Sequence, residues 1–453
     1  MDFYEYLLTL QKKIRCSSLE RIHSLQDAQR RAINKYMHTT ETSLFSMALG
    51  LQNPWYVESV SFEMDEKSKQ PELHLYLNFE RGAKFPFPNG DFTNCPVHDT
   101  VQKTWRHLNF FQYKAYIHAR VPRVKSPSGA VQLITVPWAR PGSGFTLLFE
   151  AFVLLLVKEQ PVSVVARTLS VHDTLLWRMV SKYVERAREE VDLSEVACIG
   201  ADETSKKGHN YITVFADIKG KRVIHIEPGK SKETVYRFYE RFIQLGGIPD
   251  NVKVITTDMS LGYLNAFKAL FKNSHSVIDK FHVMKHMNEA LDEVRKDDVK
   301  ELKLKRTKYL VLKNYNSLKA KERRHFSEVM AELYHRATGK VYRMRCTLQQ
   351  IFLNVKSREE AEIELRRFCS WLGKSRITRL GKLKKLIKNH MDEILNYWSF
   401  RYTNAHLEGF NSIIQNIKRR SRGFRNDKYF ETMIYLVCGG LDLVKFCDVK
   451  AWK

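Results

Sequence analysis

Hydrophobic and polar positions change their period along this chain, and the changes divide it. "WYVESVSFEMDEKSKQPELHLYLNF" alternates apolar and polar residues on either side of a charged stretch, which predicts two strands around a polar turn. Residues from about 84 to 141 read as turn-rich and aromatic, with "FPFPNGDF", "SPSG" and "ARPGSG". "VSVVARTLSVHDTLLWRMVSKY", from Val162 to Tyr183, then shifts to helical spacing. Val165, Leu169, Val171, Leu176 and Met179 supply the apolar positions where two short helices would meet, and Ala166 the small residue at their crossing. Ser170 stands at the turn, where glycine is usual, and Pro161 suits a first helical position. Such a helix-turn-helix would present Thr174, Arg178, Ser181 and Lys182 to a DNA groove; a plain helical hairpin is the competing reading.

From Val196 the pattern becomes that of strands. "VACIGADE" is an apolar run ending in Asp202, and "YITVFAD" and "RVIHIE" flank "IKGK", a hairpin with Gly220 in the turn. "SKETVYRFYERFIQLGG" is an amphipathic helix closed by glycine, "VKVITTD" a buried-type strand ending in Asp258, "SLGYLNAFKALF" a helix, and "HSVIDKFH" a last short strand. Three meander strands, helix, strand, helix, strand is the element order of an RNase H-like fold with a mixed five-stranded sheet. All 12 prolines lie at or before Pro249, so the remainder is free to be almost wholly helical.

In that sheet the ends of the first and fourth strands lie side by side, which brings Asp202 and Asp258 together. Two aspartates there suit divalent metal ions, and a metal pair calls for a further carboxylate. "TNAHLEGFNSIIQNIKRR" offers one. Leu407, Phe410, Ile414 and Ile417 form an apolar helical stripe. Asn404, Glu408, Asn411, Gln415, Lys418 and Arg422 fall on an adjoining polar face. An ordinary solvated glutamate is the bland reading of Glu408 alone.

Composition narrows the partners. The chain has 453 residues, a formal net charge of +25 and 12% aromatics, so it is a folded basic protein suited to a polyanion rather than a disordered tail. Seven scattered cysteines without a C-x-x-C pair fit a reducing compartment. "MDFYEYLLTLQKKIRC" is no secretory signal, and "FTLLFEAFVLLLVKE" is too short and too charged to span a bilayer, so a soluble cytoplasmic protein without membrane contact is expected.

"GADETSKKGHNYITVFAD", "TTDMSLGYLNAF", "VIDKFHVMKHMNEALDEVRK", "TNAHLEGFNSIIQNIKRRSRGFRN" and the upstream "CPVHDTVQKTWRHLNFFQYKAYIHARVPRV" closely resemble the ISL-three-type insertion-sequence transposases of bacteria, from about Leu44 onward. The resemblance implies a catalytic triad at Asp202, Asp258 and Glu408, binding two Mg²⁺ (or Mn²⁺) ions and carrying out DNA cleavage and strand transfer. It implies double-stranded DNA, as terminal inverted repeats and target, for a partner, and a homo-oligomer in the DNA complex. Lys418, Arg419, Arg420 and Arg422 would hold the flanking backbone, with His282 in a supporting place near the triad.

The chain is therefore expected to be an α+β multidomain protein. Its parts are a helical extension (1–43), a β-rich module (44–141), a helix-turn-helix (142–190), the first part of the catalytic core (191–290), an all-helical insertion (291–395) and final helices carrying Glu408 (396–453). One departure from the family concerns the β-rich module, a degenerate zinc-ribbon-like unit. Phe87, Ser126 and Ser128 stand where paired cysteines are expected. Cys95 and His98 alone do not close a tetrahedral site; recruiting His107 and His118 is the less favoured alternative, so zinc is not expected. The lost cysteines would suit a competing class, a non-catalytic DNA-binding protein derived from a decayed transposase; the intact triad argues against it. A simple RNase H-like nuclease would leave the helix-turn-helix and the long insertion unexplained.

Overall fold

The computed structural model describes residues 41–66, 69–88, 90, 92–207, 210–257, 261–302, 307–402, 405–424, 426–443 and 445. The expected helical extension lies outside them except for its last residues, which belong to a helix over 41–48 (α1). Two compact units are formed, one ending at Leu156 and the other spanning Val157–Leu443.

The first unit is built on a sheet of β1 (Trp55–Met64), β2 (Pro71–Phe79), β3 (Lys84–Phe85), β4 (Cys95–Phe110), β5 (Tyr113–Lys125) and β6 (Val131–Leu133). Its order is β1-β2-β5-β4-β3, with β6 also on β5. β1 and β2 are the expected antiparallel pair. The stretch read as turn-rich instead contains β4 and β5, the two longest strands of this sheet. Between its buried Cys95 and Trp105, β4 is nearly all polar or half-exposed, so its alternation carries little apolar contrast. Phe87 and Cys95 join Trp55, Phe85 and Trp105 in the core of this unit.

α2 (Leu147–Glu159) lies mostly in the first unit and ends in the second, which continues with α3 (Val162–Thr168) and α4 (Asp173–Glu189). Pro161 is the N-cap of α3, one position earlier than expected. The turn is a Schellman closure, with the Val171 N–H donating to the Ala166 carbonyl (2.9 Å) and the Ser170 N–H to that of Arg167 (3.1 Å). Ser170 takes the left-handed position at φ +53°, where glycine is usual. Val165, Ala166, Leu169, Leu176 and Met179 are buried in the crossing.

There follow β7 (Cys198–Lys207), β8 (Asn210–Asp217), β9 (Arg222–Pro228), α5 (Lys232–Gln244), β10 (Val254–Thr257), α6 (Leu261–Leu270), β11 (His275–Ile278) and α7 (Lys280–Glu301). The sheet order is β11-β10-β7-β8-β9, with β7, β8 and β9 antiparallel and β10 parallel to both neighbours. In the β8–β9 turn a Cβ on Gly220 would lie 2.2 Å from Asp217 Oδ2, whose partner oxygen accepts the Gly220 N–H at 2.9 Å. The approach needs glycine, although the positive φ falls on Lys221. Beyond α7 come only helices among the described residues: α8 (Lys308–Leu312), α9 (Ala320–Leu333), α10 (Ala337–Asn354), α11 (Arg358–Lys374), α12 (Leu380–Asn389), α13 (Met391–Phe400), α14 (Ala405–Arg420) and α15 (Asp427–Cys438), apart from a 3-10 turn at Tyr315–Ser317.

The two faces of β7 set the layers. Ile199 and Ala201 pack with Phe238 and Phe242 of α5 and Phe267 of α6 in one core. The alternate residues face α14. α15 closes the same side, where Tyr435 Oη accepts the Ile226 N–H at 2.9 Å. No helix of the described residues is long and apolar enough to cross a membrane.

Candidate active site

α14 lies along β7 because its polar row matches the strand's rise. Asn411 Nδ2 donates to Asp202 Oδ2 at 2.7 Å, and Gln415 Nε2 to Thr204 Oγ1 at 3.0 Å and to the Ser205 carbonyl at 3.2 Å. Lys418 Nζ donates to that same carbonyl at 3.3 Å. Seven helical residues advance about 10 Å, and three strand residues about 10 Å, so each helical turn meets the next outward strand residue. Leu407, Phe410, Ile414 and Ile417 form the buried seam beneath this row. Gly200 permits the contact, since a Cβ there would lie 2.7 Å from Leu407 Cδ1 and 2.5 Å from Ile218 Cδ1.

β7 runs five residues past Asp202, to Lys207, so Asp202 sits within the strand rather than at its end. It remains beyond the last β7–β10 pair, Gly200 with Thr256, and is half-buried. Glu408 stands one turn before Asn411 on α14 and is exposed. Burial raises its carboxyl above the ordinary value; the charges of Asp279 and Asp202 add to this, and His282 opposes it. Asp279 is fully buried at the N-cap of α7, accepting the Phe281 N–H at 2.8 Å. His282, half-buried in the first turn of α7, lines a cleft of about 570 Å³ together with Glu408. The structure therefore brings Asp202, Glu408, Asp279 and His282 into one electrostatic neighbourhood. Asp258 lies outside the described residues, and among those described no three His, Cys, Asp or Glu side chains are grouped closely enough to hold a metal ion. The donors that do converge are carboxylate oxygens under mutual repulsion, the chemistry that a hard divalent cation satisfies.

Asn411 and Gln415 were legible as members of the polar face but not as the groups that fix it to β7. Their offsets from Glu408, three and seven residues, were the available signal. Lys418 and Arg420 are partly engaged within the protein, Lys418 on Ser205 and Arg420 on the carbonyls of Glu159 and Lys158. Arg419 and Arg422 are exposed.

On α4, Arg178, Lys182 and Thr174 are exposed, but Ser181 is buried beneath the helix and does not face a groove. Trp177 stacks on Tyr429 of α15 with centroids 4.2 Å apart and planes within 2°, and meets Phe424 edge-on at 6.2 Å. Lys428 pairs with Glu185 at 2.7 Å beside them.

In the first unit, Cys95 is buried and His98 exposed on β4. His107 bonds Thr146 Oγ1 at 2.9 Å, and burial, reinforced by Arg106, pulls it down to about 4. His118 bonds Thr104 at 2.9 Å and His74 at 2.8 Å. Ser126 and Ser128 share a hydrogen bond at 2.8 Å, and Ser126 and Cys95 line a cleft of about 500 Å³.

Comparison with known proteins gives a consistent picture. The family model described as a transposase of the DDE, ISL3 type matches residues 199–434, and that of the "Helix-turn-helix domain of transposase family ISL3" matches residues 134–184. The chain is 27% identical over 352 residues to the transposase for insertion sequence element IS1001 of Bordetella parapertussis, covering 74% of this chain and 84% of that protein. It is 24% identical over 438 residues to the transposase for insertion sequence element IS1557 of Mycobacterium tuberculosis, covering 88% of this chain and 95% of that protein.

Proposed function

Since the chain belongs to the ISL3 family of transposases, we propose that it cuts the ends of an insertion sequence and joins them to target DNA, with Asp202, Asp258 and Glu408 as the catalytic carboxylates. The observation that carries this reading is the Asn411–Asp202 hydrogen bond, which locks α14 onto β7 and sets Glu408 in the field of Asp202. The sheet order, three antiparallel strands followed by two parallel ones, supports an RNase H-like core. Thr256 pairs with Gly200, and Asp258 follows the first by two residues as Asp202 follows the second, which supports placing the two aspartates together.

Asp202, Asp258 and Glu408 would hold Mg²⁺ or Mn²⁺, two ions when the site is full. Such ions supply Lewis acidity toward a phosphate oxygen and toward water or a 3′-hydroxyl. Asn411 would orient the Asp202 carboxylate by donating to Oδ2, while Oδ1 accepts the Glu203 N–H at 2.8 Å. His282, beside Glu408 in the cleft, tempers the repulsion among the carboxylates. Arg178 and Lys182 on α4 would grip element-end DNA, and Lys418, Arg419, Arg420 and Arg422 the backbone near the cut. The protein would act as a homo-oligomer on two element ends, its β-rich module folding without zinc around Phe87 and Cys95.

The test is strand cleavage of a duplex carrying one element end, with Mg²⁺. Glu408→Gln keeps shape and hydrogen bonding but removes the charge a hard cation needs. Cleavage should fall by orders of magnitude while DNA affinity stays. A Gln variant that cuts at a near-normal rate removes Glu408 from the triad and moves attention to Asp279 or Glu203.

A further inference from the structure

The far end of α14 carries a second cleft, of about 770 Å³, bounded on one side by the β7–β8 hairpin and on the other by the α14–α15 connection. Lys206 and Asn210 line it from the hairpin, and Lys418, Ser421, Arg422 and Asp427 from the helices. Among the described residues three cations thus converge from two elements, and Gln415 and Lys418 tie α14 to Thr204 and Ser205 of β7.

Two features mark this cleft as more than a solvated basic face. Arg422 occupies the C′ position of α14 at φ +53°, within a Schellman closure made by the Gly423 N–H to the Lys418 carbonyl (2.9 Å) and the Arg422 N–H to that of Arg419 (3.1 Å). Glycine is preferred in that conformation, so an arginine there is held against the backbone's own preference. The second feature is Asp427, which pairs with Lys206 across the cleft. The Lys206 side chain is 18% exposed and that of Asp427 is 69% exposed. The lysine therefore lies in the wall of the cleft, and most of the aspartate side chain faces solvent. A carboxylate on that lysine, beside two further cations, occupies the place of an incoming anion.

We propose that this cleft holds a backbone phosphate of duplex DNA four to five steps from the cut, displacing Asp427 from Lys206 as it enters. This rests on the proposed function for the position of the cut. Ten residues of helix separate Glu408 from Lys418, about 15 Å, and each duplex step advances about 3.4 Å, which gives the four to five steps. α14 thereby acts as a ruler with a metal-binding carboxylate at one end and a phosphate seat at the other.

The experiment reads equilibrium binding in EDTA, by fluorescence anisotropy, of a duplex spanning one element end. Single methylphosphonates replace each phosphate on either side of the cut. In the wild-type chain, neutralising the phosphate at step four or five should weaken binding about tenfold, and this step should stand out from its neighbours. Arg422→Gly relaxes the backbone, so it should fold at least as well; it should erase that local penalty and lower the salt slope by about one. Asp427→Asn should tighten binding about two- to fivefold by removing the competing carboxylate. A penalty elsewhere or evenly spread, an Arg422→Gly variant that keeps it, or an Asp427→Asn variant with unchanged affinity overturns the proposal, as does a chain that binds no duplex. A chain that binds with this pattern yet fails to cut in Mg²⁺ counts against the proposed function and leaves the phosphate seat standing, because binding is read without the reaction.

Discussion

Replacing Asn411 by alanine removes a side-chain hydrogen bond between α14 and Asp202, one of the proposed catalytic carboxylates. The bond is 2.7 Å long, its acceptor is a carboxylate, and both residues are half-buried. Hydrogen bonds to charged partners contribute about 1.5–3 kcal/mol, and partial exposure brings the expectation here to about 1–2 kcal/mol. Gln415 and Lys418 still tie the helix to Thr204 and Ser205, so the helix should stay in place and the loss should be local. Chemical denaturation of Asn411→Ala, Asp202→Asn and the double variant closes a thermodynamic cycle. Its coupling term should be about 1 kcal/mol or more. Asn411 is a positioning residue, so cleavage should fall through kcat, with DNA affinity in EDTA unchanged. Asn411→Asp adds a discriminating variant, because it places a like charge on Asp202. That variant should lose more stability at neutral pH than the alanine variant, and Mg²⁺ should restore part of it. A coupling term near zero, together with normal kcat in Asn411→Ala, would refute the idea that this contact orients Asp202.

Other outcomes follow from the same geometry. Ser170→Gly should raise stability by about 0.5–1 kcal/mol in a denaturant melt, because Ser170 holds φ +53°; a destabilised variant would mean that the serine side chain has a role of its own. Exposed Arg178 and Lys182, replaced together by alanine, should weaken element-end binding and lower its salt slope by about two; unchanged binding would reduce α3–α4 to a structural hairpin. Glu408→Gln should stabilise the metal-free protein at neutral pH by a few tenths of a kcal/mol, since burial and the charges of Asp279 and Asp202 raise the native carboxyl. The sign is that of an acid with a raised folded-state value: below its ordinary range Glu408 is neutral in both states, and the cost appears as pH rises. The two melts should therefore converge under acid conditions, and a gap that widens there would contradict the assignment.

Most strands and helices of the second unit were legible because each kept a clean period, but of "HSVIDKFH", read as a strand, only His275–Ile278 is one, because Asp279 caps the helix that starts at Lys280. β10 is four buried residues, and α5 holds Val235, Phe238 and Phe242 on one stripe. β4 was missed because its length runs over mostly polar, half-exposed residues, so its strand character comes from pairing with β5 rather than from local contrast. Asp202 was legible as a residue but not in its setting. β8 remains paired through Lys207, and that pairing extends β7 past the aspartate.

The polar face of α14 shows the same limit more sharply, and it changes what the basic run can do. Spacing alone put Glu408, Asn411, Gln415, Lys418 and Arg422 on one polar face, and the family resemblance gave its basic end to the DNA backbone. In the folded chain the middle of that face is turned to β7, where Asp202, Thr204 and Ser205 present acceptors. Its two ends reach clefts, at Glu408 and at Lys418 with Arg422. A helix clamped along its middle cannot slide or roll without breaking those bonds together, so the separation of its ends is fixed by the rise of the helix. If α14 sets where the DNA is seated relative to the carboxylates, then loosening the clamp should blur the position of the cut as well as slow it. Gln415→Ala, which removes two of the bonds and touches neither end, isolates that effect: cleavage products should spread over neighbouring phosphates. A slower reaction at a single unchanged position would show that registration comes from the DNA-binding helices instead.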